Sequence, residues 1–316
     1  MLNTPILFLI FNRPDTTRQV FAKIREIQPK QLFIAADGPR ADRAGEAEKC
    51  ALTKQIAMEA IDWDCEVKTL FRTENLGCGV APAQAITWFF EHVEQGIILE
   101  DDCLPDLSFF TFCEELLNYY KDDTSVMHIG GTNSQFGRKR GNASYYFSKY
   151  PHIWGWATWK RTWQQFQFSF SKDDNDALPS IFEGYRFSQA EKEYWENHWN
   201  LIKDGERKDI WDIQWTFSCW LNYGKTIVPN YNLISNIGFH ADATHTFASD
   251  SALANLSLKR IEKIQHPIDN EINIQADGFT FRKYNLMEPS FSQKIKTWFS
   301  DKIPTSLKII IKKQIP

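Results

Sequence analysis

The chain is 316 residues long, 43% hydrophobic and 24% charged, with a formal net charge of −4. Those values are ordinary for a soluble globular protein of one large or two small domains with a sizeable core. They imply no general attraction to nucleic acid, and no run of 18 apolar residues is present to cross a membrane. Twelve Trp and 24 Phe are unusually many; aromatic side chains fill cores and also stack on flat ligand faces such as sugars. The six Cys (50, 65, 78, 103, 113 and 219) show no CxxC spacing, which predicts reduced, mostly buried thiols. The opening apolar run, Ile6 to Phe11, is too short for a signal peptide and lacks a basic flank, so a cytoplasmic protein is expected.

From the N-terminus, PILFLIF (5–11) reads as a strand. PDTTRQVFAKIREI follows as a helix, with Pro14 in its first turn and apolar residues at Val20, Phe21, Ile24 and Ile27. QLFIAA (31–36) is a second strand, followed by the polar loop DGPRADRAGE and a helix near 45–61. CEVKTLF (65–71) is a third strand, and residues 79–93 a helix that requires Pro82 in its first turn. GIIL is the fourth strand, DLSFFTFCEELLNYY the next helix and SVMHIG (125–130) a further strand. This βαβα rhythm predicts a parallel sheet with helices on both faces.

The rhythm changes after about residue 130. Residues 132–145 read as a loop, 150–166 as an aromatic segment, SKDDND (171–176) as an acidic loop, and 188–203 and 211–222 as helices. No internal repeat is present. The tail, 290–316, has six Lys against one Asp with apolar residues interleaved. It reads either as an amphipathic segment on an anionic membrane surface, or as a helix packed on the domain or a solvated tail. Residues 247–289 carry no interpretable signal.

Ligands of open parallel α/β sheets bind outside the carboxyl ends of the strands. Four such ends carry polar signals here: Asn12 and Arg13, then Asp37 and Gly38, then Arg72 and Asn75–Gly77, and finally Glu100, Asp101 and Asp102. A polar loop after one strand is the default. Four along one edge describe a cleft. Three acids where a strand leaves the core need neutralising, which a divalent cation carrying a diphosphate would do. Arg13 or Arg72 can add charge-assisted hydrogen bonds. Asp37 can accept from a nucleobase or ribose. Neither GxxxxGK[ST] nor GxGxxG follows the first strand, which disfavours a kinase or a Rossmann dehydrogenase.

The run EDDCLPDLSFFTF resembles the metal-binding motif of GT-A-fold glycosyltransferases, nearest the N-acetylglucosaminyltransferase I-like group and more loosely family 2. FNRP at the start, ADGPR (36–40), RTENLGCG (72–79), GWATW (155–159) and WDIQW (211–215) are similar to segments of that group, in order. The resemblance spans about residues 5–246. It implies a GT-A-like α/β fold, with a Rossmann-like, mostly parallel mixed sheet flanked by helices and an aromatic-rich acceptor-side half. Residues 1–130 would form the donor half, 131–250 the acceptor-binding and catalytic half of the same domain, and 251–316 an extension. It further implies a nucleotide-diphosphate sugar donor, expected to be UDP-linked, bound with Mn2+ or Mg2+, and a glycan or glycolipid acceptor. Asp102 would bind the metal, with Glu100 and Asp101 orienting ribose or a water. Asn12, Arg13, Asp37, Arg72 and Asn75 would line the donor pocket.

An inverting transfer also needs a base for the acceptor hydroxyl. In the resembled enzymes this carboxylate lies downstream in an aromatic setting, which Asp212 matches and Asp209 backs up; the alternative is that Asp212 caps a helix. Trp154 and Trp156 are candidates for stacking on the acceptor, against a plain core role. His245, and after it His240, could add a metal or phosphate contact. The activity so implied belongs to cell-surface polysaccharide or glycoconjugate assembly at the inner face of the membrane. Rival readings are a sugar-phosphate nucleotidyltransferase, which normally has a Gly-rich loop where this chain has FNRPDTT, an inactive glycan-binding module, and a metal-dependent phosphoesterase.

Overall fold

A computed structural model describes residues 1–207, 209–239 and 253–285. Its strands are β1 (Ile6–Ile10), β2 (Gln31–Ala36), β3 (Glu66–Phe71), β4 (Gln95–Glu100), β5 (Cys103–Pro105), β6 (Val126–Gly130), β7 (Tyr145–Ser148), β8 (Trp156–Trp159), β9 (Lys225–Pro229) and β10 (Ile234–Asn236). Its α-helices are α1 (Pro14–Ile27), α2 (Glu46–Glu59), α3 (Gly77–His92), α4 (Leu107–Tyr119), α5 (Lys160–Trp163), α6 (Lys172–Gly184), α7 (Gln189–Lys203), α8 (Asp212–Leu221) and α9 (Ile274–Thr280). One sheet has the order β3-β2-β1-β4-β8-β6-β9-β7, and β5 pairs with β10 in a second, two-stranded sheet. β1 to β4 are mutually parallel, β8 is antiparallel between β4 and β6, β9 is parallel to β6, and β7 is antiparallel at the edge. The fold is thus the mixed, mostly parallel α/β sheet flanked by helices that the sequence implies.

Apart from the edge strand β3, the strands of the large sheet bury both faces, as a sheet covered on both sides must. Ile6, Phe8 and Ile10 of β1 join Val20, Phe21 and Ile24 of α1 and the Phe-rich face of α4 in one cluster. Leu7 and Leu9, pointing the other way, join Ile86, Phe89 and Phe90 of α3 and Trp215 of α8 in a second. Each such fully buried side chain contributes about 1.5–3 kcal/mol relative to exposure. A third, largely aromatic cluster around Trp199, Phe217 and Trp220 fastens α7 to α8. All six cysteines are free thiols. Among the described residues no helix is long and apolar enough to cross a membrane. The basic tail 290–316 lies outside the described residues.

Three local expectations need correction. Pro82 is not in the first turn of α3: the helix starts at Gly77, so Pro82 is the sixth helical residue and donates no amide to the helix ladder. The start moves back because Asp37 satisfies the amides of Leu76 and Gly77 at the helix mouth. Residues 171–176 are not a loop but the start of α6: Ser171 and Asp174 form a reciprocal capping box, and the acids occupy a first turn that favours negative charge. Within 132–145, Tyr145 already belongs to β7.

Candidate functional site

The chain leaves β1 toward β2 on one side and returns to β4 on the other. The crevice between the carboxyl ends of β1 and β4 is therefore the switch point of the sheet, where open α/β folds place their ligands. Leu9 of β1 lies beside Glu100 of β4, so the residues following each strand meet. The Phe11 amide donates to Asp101 Oδ2 at 3.1 Å. Arg13 Nη1 reaches Asp102 Oδ2 at 2.6 Å and Asp101 Oδ1 at 3.5 Å. Asp101 and Asp102 are 6% and 7% exposed, so this is a buried acidic cluster sharing one guanidinium.

One cation does not balance three acids. Burial, then Asp102 and Asp101, push Glu100 up to about 8 against the pull of Arg13. Burial pushes Asp101 up to about 7, again against Arg13. The acids in turn hold the Arg13 guanidinium more firmly charged despite its burial. Both carboxyls are raised first by burial and then by the acids beside them, which the single guanidinium offsets only in part.

The second half of the chain closes over the same point. β10 pairs with β5 so that Asn236 faces Cys103, and the Ile237 amide donates to the Asp102 carbonyl at 2.8 Å. Gly238 then passes so close that a Cβ there would lie 2.2 Å from Asp102 Oδ2. Only glycine permits that approach. Asp212 stands in the first turn of α8, and its charge adds the smallest share to the rise of Glu100. It is not the helix cap: Trp211 holds that position and makes no side-chain cap bond. Asp209 is reached through its carbonyl, which accepts from the Cys78 thiol at 3.0 Å and ties the loop before α8 to the mouth of α3.

The remaining expected residues divide. Arg72 is half-buried and donates to Gln84 Oε1 at 3.2 Å; none of the described carboxylates pairs with it. Asp37 is engaged. Its carboxylate accepts from the amides of Gly38, Leu76 and Gly77 and from Asn75 Nδ2, all at 3.0 Å. A carboxylate has about four acceptor positions, so none remains for a nucleobase. Asn75 spends its amide on Asp37 and on the Gly38 carbonyl at 2.8 Å. The expectation that these two face a donor is replaced by a knot that locks the ends of β2 and β3.

Trp156 is also corrected. It is fully buried against His128, Trp211 and Trp215, so no ring face is open to an acceptor. Trp154 is half-buried, edge-on to Phe239 at 5.8 Å, and keeps accessible surface. His240 and His245 lie outside the described residues.

Sequence reasoning passed over Arg40 and Glu46. Glu46, 5% exposed, accepts from Asn12 Nδ2 at 2.9 Å and from the Arg40 amide at 2.7 Å, and is ion-paired with the Arg40 guanidinium. Asn12 is thereby oriented by α2. The only signal was the position of Glu46 in the first turn of a helix after a DGPR loop.

No protein-family model matches the chain, and no curated protein is similar to it. Solved structures show a weak likeness. HddC from Yersinia pseudotuberculosis is 9% identical, over 50% of this chain and 77% of that one, with a TM-score of 0.30. A 4-diphosphocytidyl-2C-methyl-D-erythritol synthase from Anaerococcus prevotii is 10% identical, over 57% and 84%, with a TM-score of 0.31. A UDP-glucose pyrophosphorylase complexed with UDP-glucose is 10% identical, over 74% and 93%, with a TM-score of 0.35. At these values the likeness does not assign an activity.

The donor set can be judged on its own chemistry. Among the described residues no three His, Cys, Asp or Glu side chains form a ready-made metal cage. The buried oxygens of Asp101 and Asp102, short of positive charge, nonetheless fit a hard divalent cation whose other ligands come from a bound diphosphate and water.

Proposed function

We propose that this chain is a metal-dependent glycosyltransferase that moves a sugar from a nucleotide-diphosphate donor, UDP-linked on the resemblance of its motifs, to a glycan or glycolipid acceptor. The observation that carries the reading is the under-neutralised cluster Glu100–Asp101–Asp102 at the β1/β4 switch point, its two aspartates buried, with Asp212 in the first turn of α8 adding to its negative field. In this reading Asp102 holds Mn2+ or Mg2+, which would supply charge for the departing diphosphate. Arg13 releases Asp102 and takes a phosphate oxygen, a charge-assisted bond it is placed to make. Glu100 and Asp101 keep the field negative beneath them. Asp212 accepts the proton of the acceptor hydroxyl as that oxygen attacks the anomeric carbon. Trp154, at the rim, offers a ring face to the acceptor sugar.

Sugar-phosphate nucleotidyl transfer is the second reading. It matches the printed name of UDP-glucose pyrophosphorylase, whereas the glycine-free FNRPDTT after β1 favours the first. One assay separates them. Purified protein is incubated with UDP-sugars and Mn2+, with and without inorganic diphosphate. Release of UDP independent of diphosphate supports glycosyl transfer, and UTP formed only with diphosphate supports the second reading. A parallel thermal-shift series with UDP, GDP, CDP and dTDP, in Mn2+ and in EDTA, reports binding directly, because a ligand of the folded state raises its midpoint. The absence of any metal-dependent shift would remove both readings.

A further inference from the structure

The strongest unabsorbed feature is basic and lies on the same sheet edge. β6 and β9 run parallel to each other and in the sense of β4, so their carboxyl ends face the edge that carries the acidic cluster. The loop after β6 carries Arg138, Lys139 and Arg140, and residues 134–144 contain no acid. A later segment brings Lys259, Arg260 and Lys263 against Glu262 alone. In a chain whose net charge is −4 this is a pronounced local reversal.

Two of these cations converge on one residue. Lys139 Nζ stands 4.8 Å and Lys259 Nζ 4.3 Å from the ring centre of Tyr231. Arg138 and Arg140 stand over Phe279 at 4.4 and 5.7 Å. No described carboxylate forms an ion pair with any of the four. The convergence is built from the backbone. Buried Asn230 donates to the carbonyls of Arg140 and Ala143, both at 2.9 Å, and accepts from the Arg140 amide at 2.7 Å. The Lys259 amide donates to the Asn232 carbonyl at 2.9 Å. The residues on either side of Tyr231 thus hold the two lysine-bearing loops against it. Bonding to Lys139 first, and the field of both lysines, bring the Tyr231 phenol below its ordinary range. Cation–π contact accounts for each lysine singly. It does not account for two like charges brought to one surface ring without a counter-ion, an arrangement an anion would relieve.

We infer that Lys139, Lys259 and the Tyr231 hydroxyl form an oxyanion site that receives the phosphate or diphosphate group of the second substrate, so that the acceptor is a phosphorylated molecule. Two ammonium charges and a hydroxyl donor match a group bearing close to two negative charges and three acceptor oxygens. A sugar carboxylate matches less well, with one charge and two oxygens. The placement fits a second substrate. Tyr231 is five residues from Asn236, which pairs with Cys103 beside Asp102, so the backbone at Tyr231 lies within about 17 Å of that at Asn236 by the reach of the chain. The assignment of this anion to an acceptor rests on the transferase reading; the anion site itself does not.

Calorimetric titration with inorganic diphosphate in EDTA tests it, using the full chain, Lys139→Gln/Lys259→Gln, Lys139→Arg/Lys259→Arg and Asp102→Asn. The wild type and Asp102→Asn are expected to bind alike, the Gln pair at least tenfold more weakly, and the Arg pair near wild type. The exposed Gln pair is expected to keep its thermal midpoint. Equal binding by the Gln pair, or none by the wild type, overturns the site. Two further arms identify the group. Glucuronate binding as tightly as diphosphate overturns the phosphate assignment, and so does binding to phosphatidylglycerol vesicles without binding of soluble diphosphate. A separate titration with UDP and Mn2+ reads the donor cleft, where the Gln pair is expected to behave as wild type. Failure there removes the transferase reading while the EDTA titration still reports on Tyr231.

Discussion

In the proposed transfer, Asp102 and Asp212 carry different duties because their surroundings differ. Asp102 is buried, held by Arg13 and walled by Gly238, a setting that suits the charge-fixing role proposed for it. Asp212 is only half-buried, at the N-terminal turn of α8, where an anion is favoured and a passing hydroxyl can reach it. The substitutions should therefore separate. Asp102→Asn is expected to lose metal-dependent UDP binding by at least about tenfold in calorimetry, because the remaining acids cannot replace a buried ligand oxygen. Asp212→Asn is expected to bind UDP with Mn2+ unchanged and to lower turnover by about 10²–10⁴, the range for a removed general base. Wild-type turnover in the Asp212→Asn protein would end the base assignment. Asp37 provides the contrast. With four donors on its carboxylate, Asp37→Ala leaves the loop amides of Leu76 and Gly77 without partners, and a loss of about 1–3 kcal/mol in urea unfolding is expected. A donor-contacting Asp37 would instead show weak UDP binding at normal stability.

At the scale of elements, the site depends on how closely two chain segments pass. The β5–β10 pair brings residues 236–238 onto the acidic cluster, and Gly238 leaves no room for a side chain. Gly238→Ala is expected to push that segment off Asp102 and weaken metal-dependent nucleotide binding, while the distant core keeps the urea m-value unchanged. A Gly238→Ala protein with wild-type nucleotide affinity would show that the segment yields freely. These elements also mark the limit of what the sequence discloses. The strands β1 to β4 and β6 are legible as apolar runs between polar loops, and with them every strand end that builds the cleft. β5 and β10 have three residues each, too few for a pattern of period two. β7 and β8, YYFS and WATW, are buried on both faces and read only as aromatic runs. The acids of 171–176 resemble a solvated loop unless the Ser171–Asp174 cap is noticed. In the site, Glu100–Asp102 and Arg13 are legible because adjacent strand ends must meet, whereas the Asp37 knot and the Arg40–Glu46 pair depend on loop paths that no periodicity encodes.

At the scale of the molecule, buried titratable groups on opposite sides of the balance set the response to pH. Glu100, Asp101 and Asp277 lie at about 8, 7 and 6, each raised chiefly by burial above an ordinary value near 4. The folded state binds those protons more tightly than the unfolded chain, so each group withdraws stability as pH rises through the interval between its two values. His128 and His152 lie at about 3 and 4, lowered by burial from 6.5. His128 is held neutral by accepting from Trp215 Nε1 at 3.1 Å while its other nitrogen bonds the His152 carbonyl at 3.0 Å. Their contribution is complete above 6.5 and is lost as pH falls toward 3. Between about pH 4.5 and 6.5 the two sets oppose, and the three acids withdraw more than the two histidines return. Below that interval only the histidines act, and above it only Glu100 and Asp101. The metal-free protein is therefore expected to show its highest unfolding midpoint at about pH 4–4.5, with a small fall below and a larger one toward pH 8. Glu100→Gln should flatten the alkaline limb alone, and Mn2+ should lift that limb in the wild type by favouring the ionised acids. A midpoint in EDTA that keeps rising from pH 6 to 8.5 would show that Arg13 neutralises the cluster unaided, and the charge deficit behind the cation site would be gone.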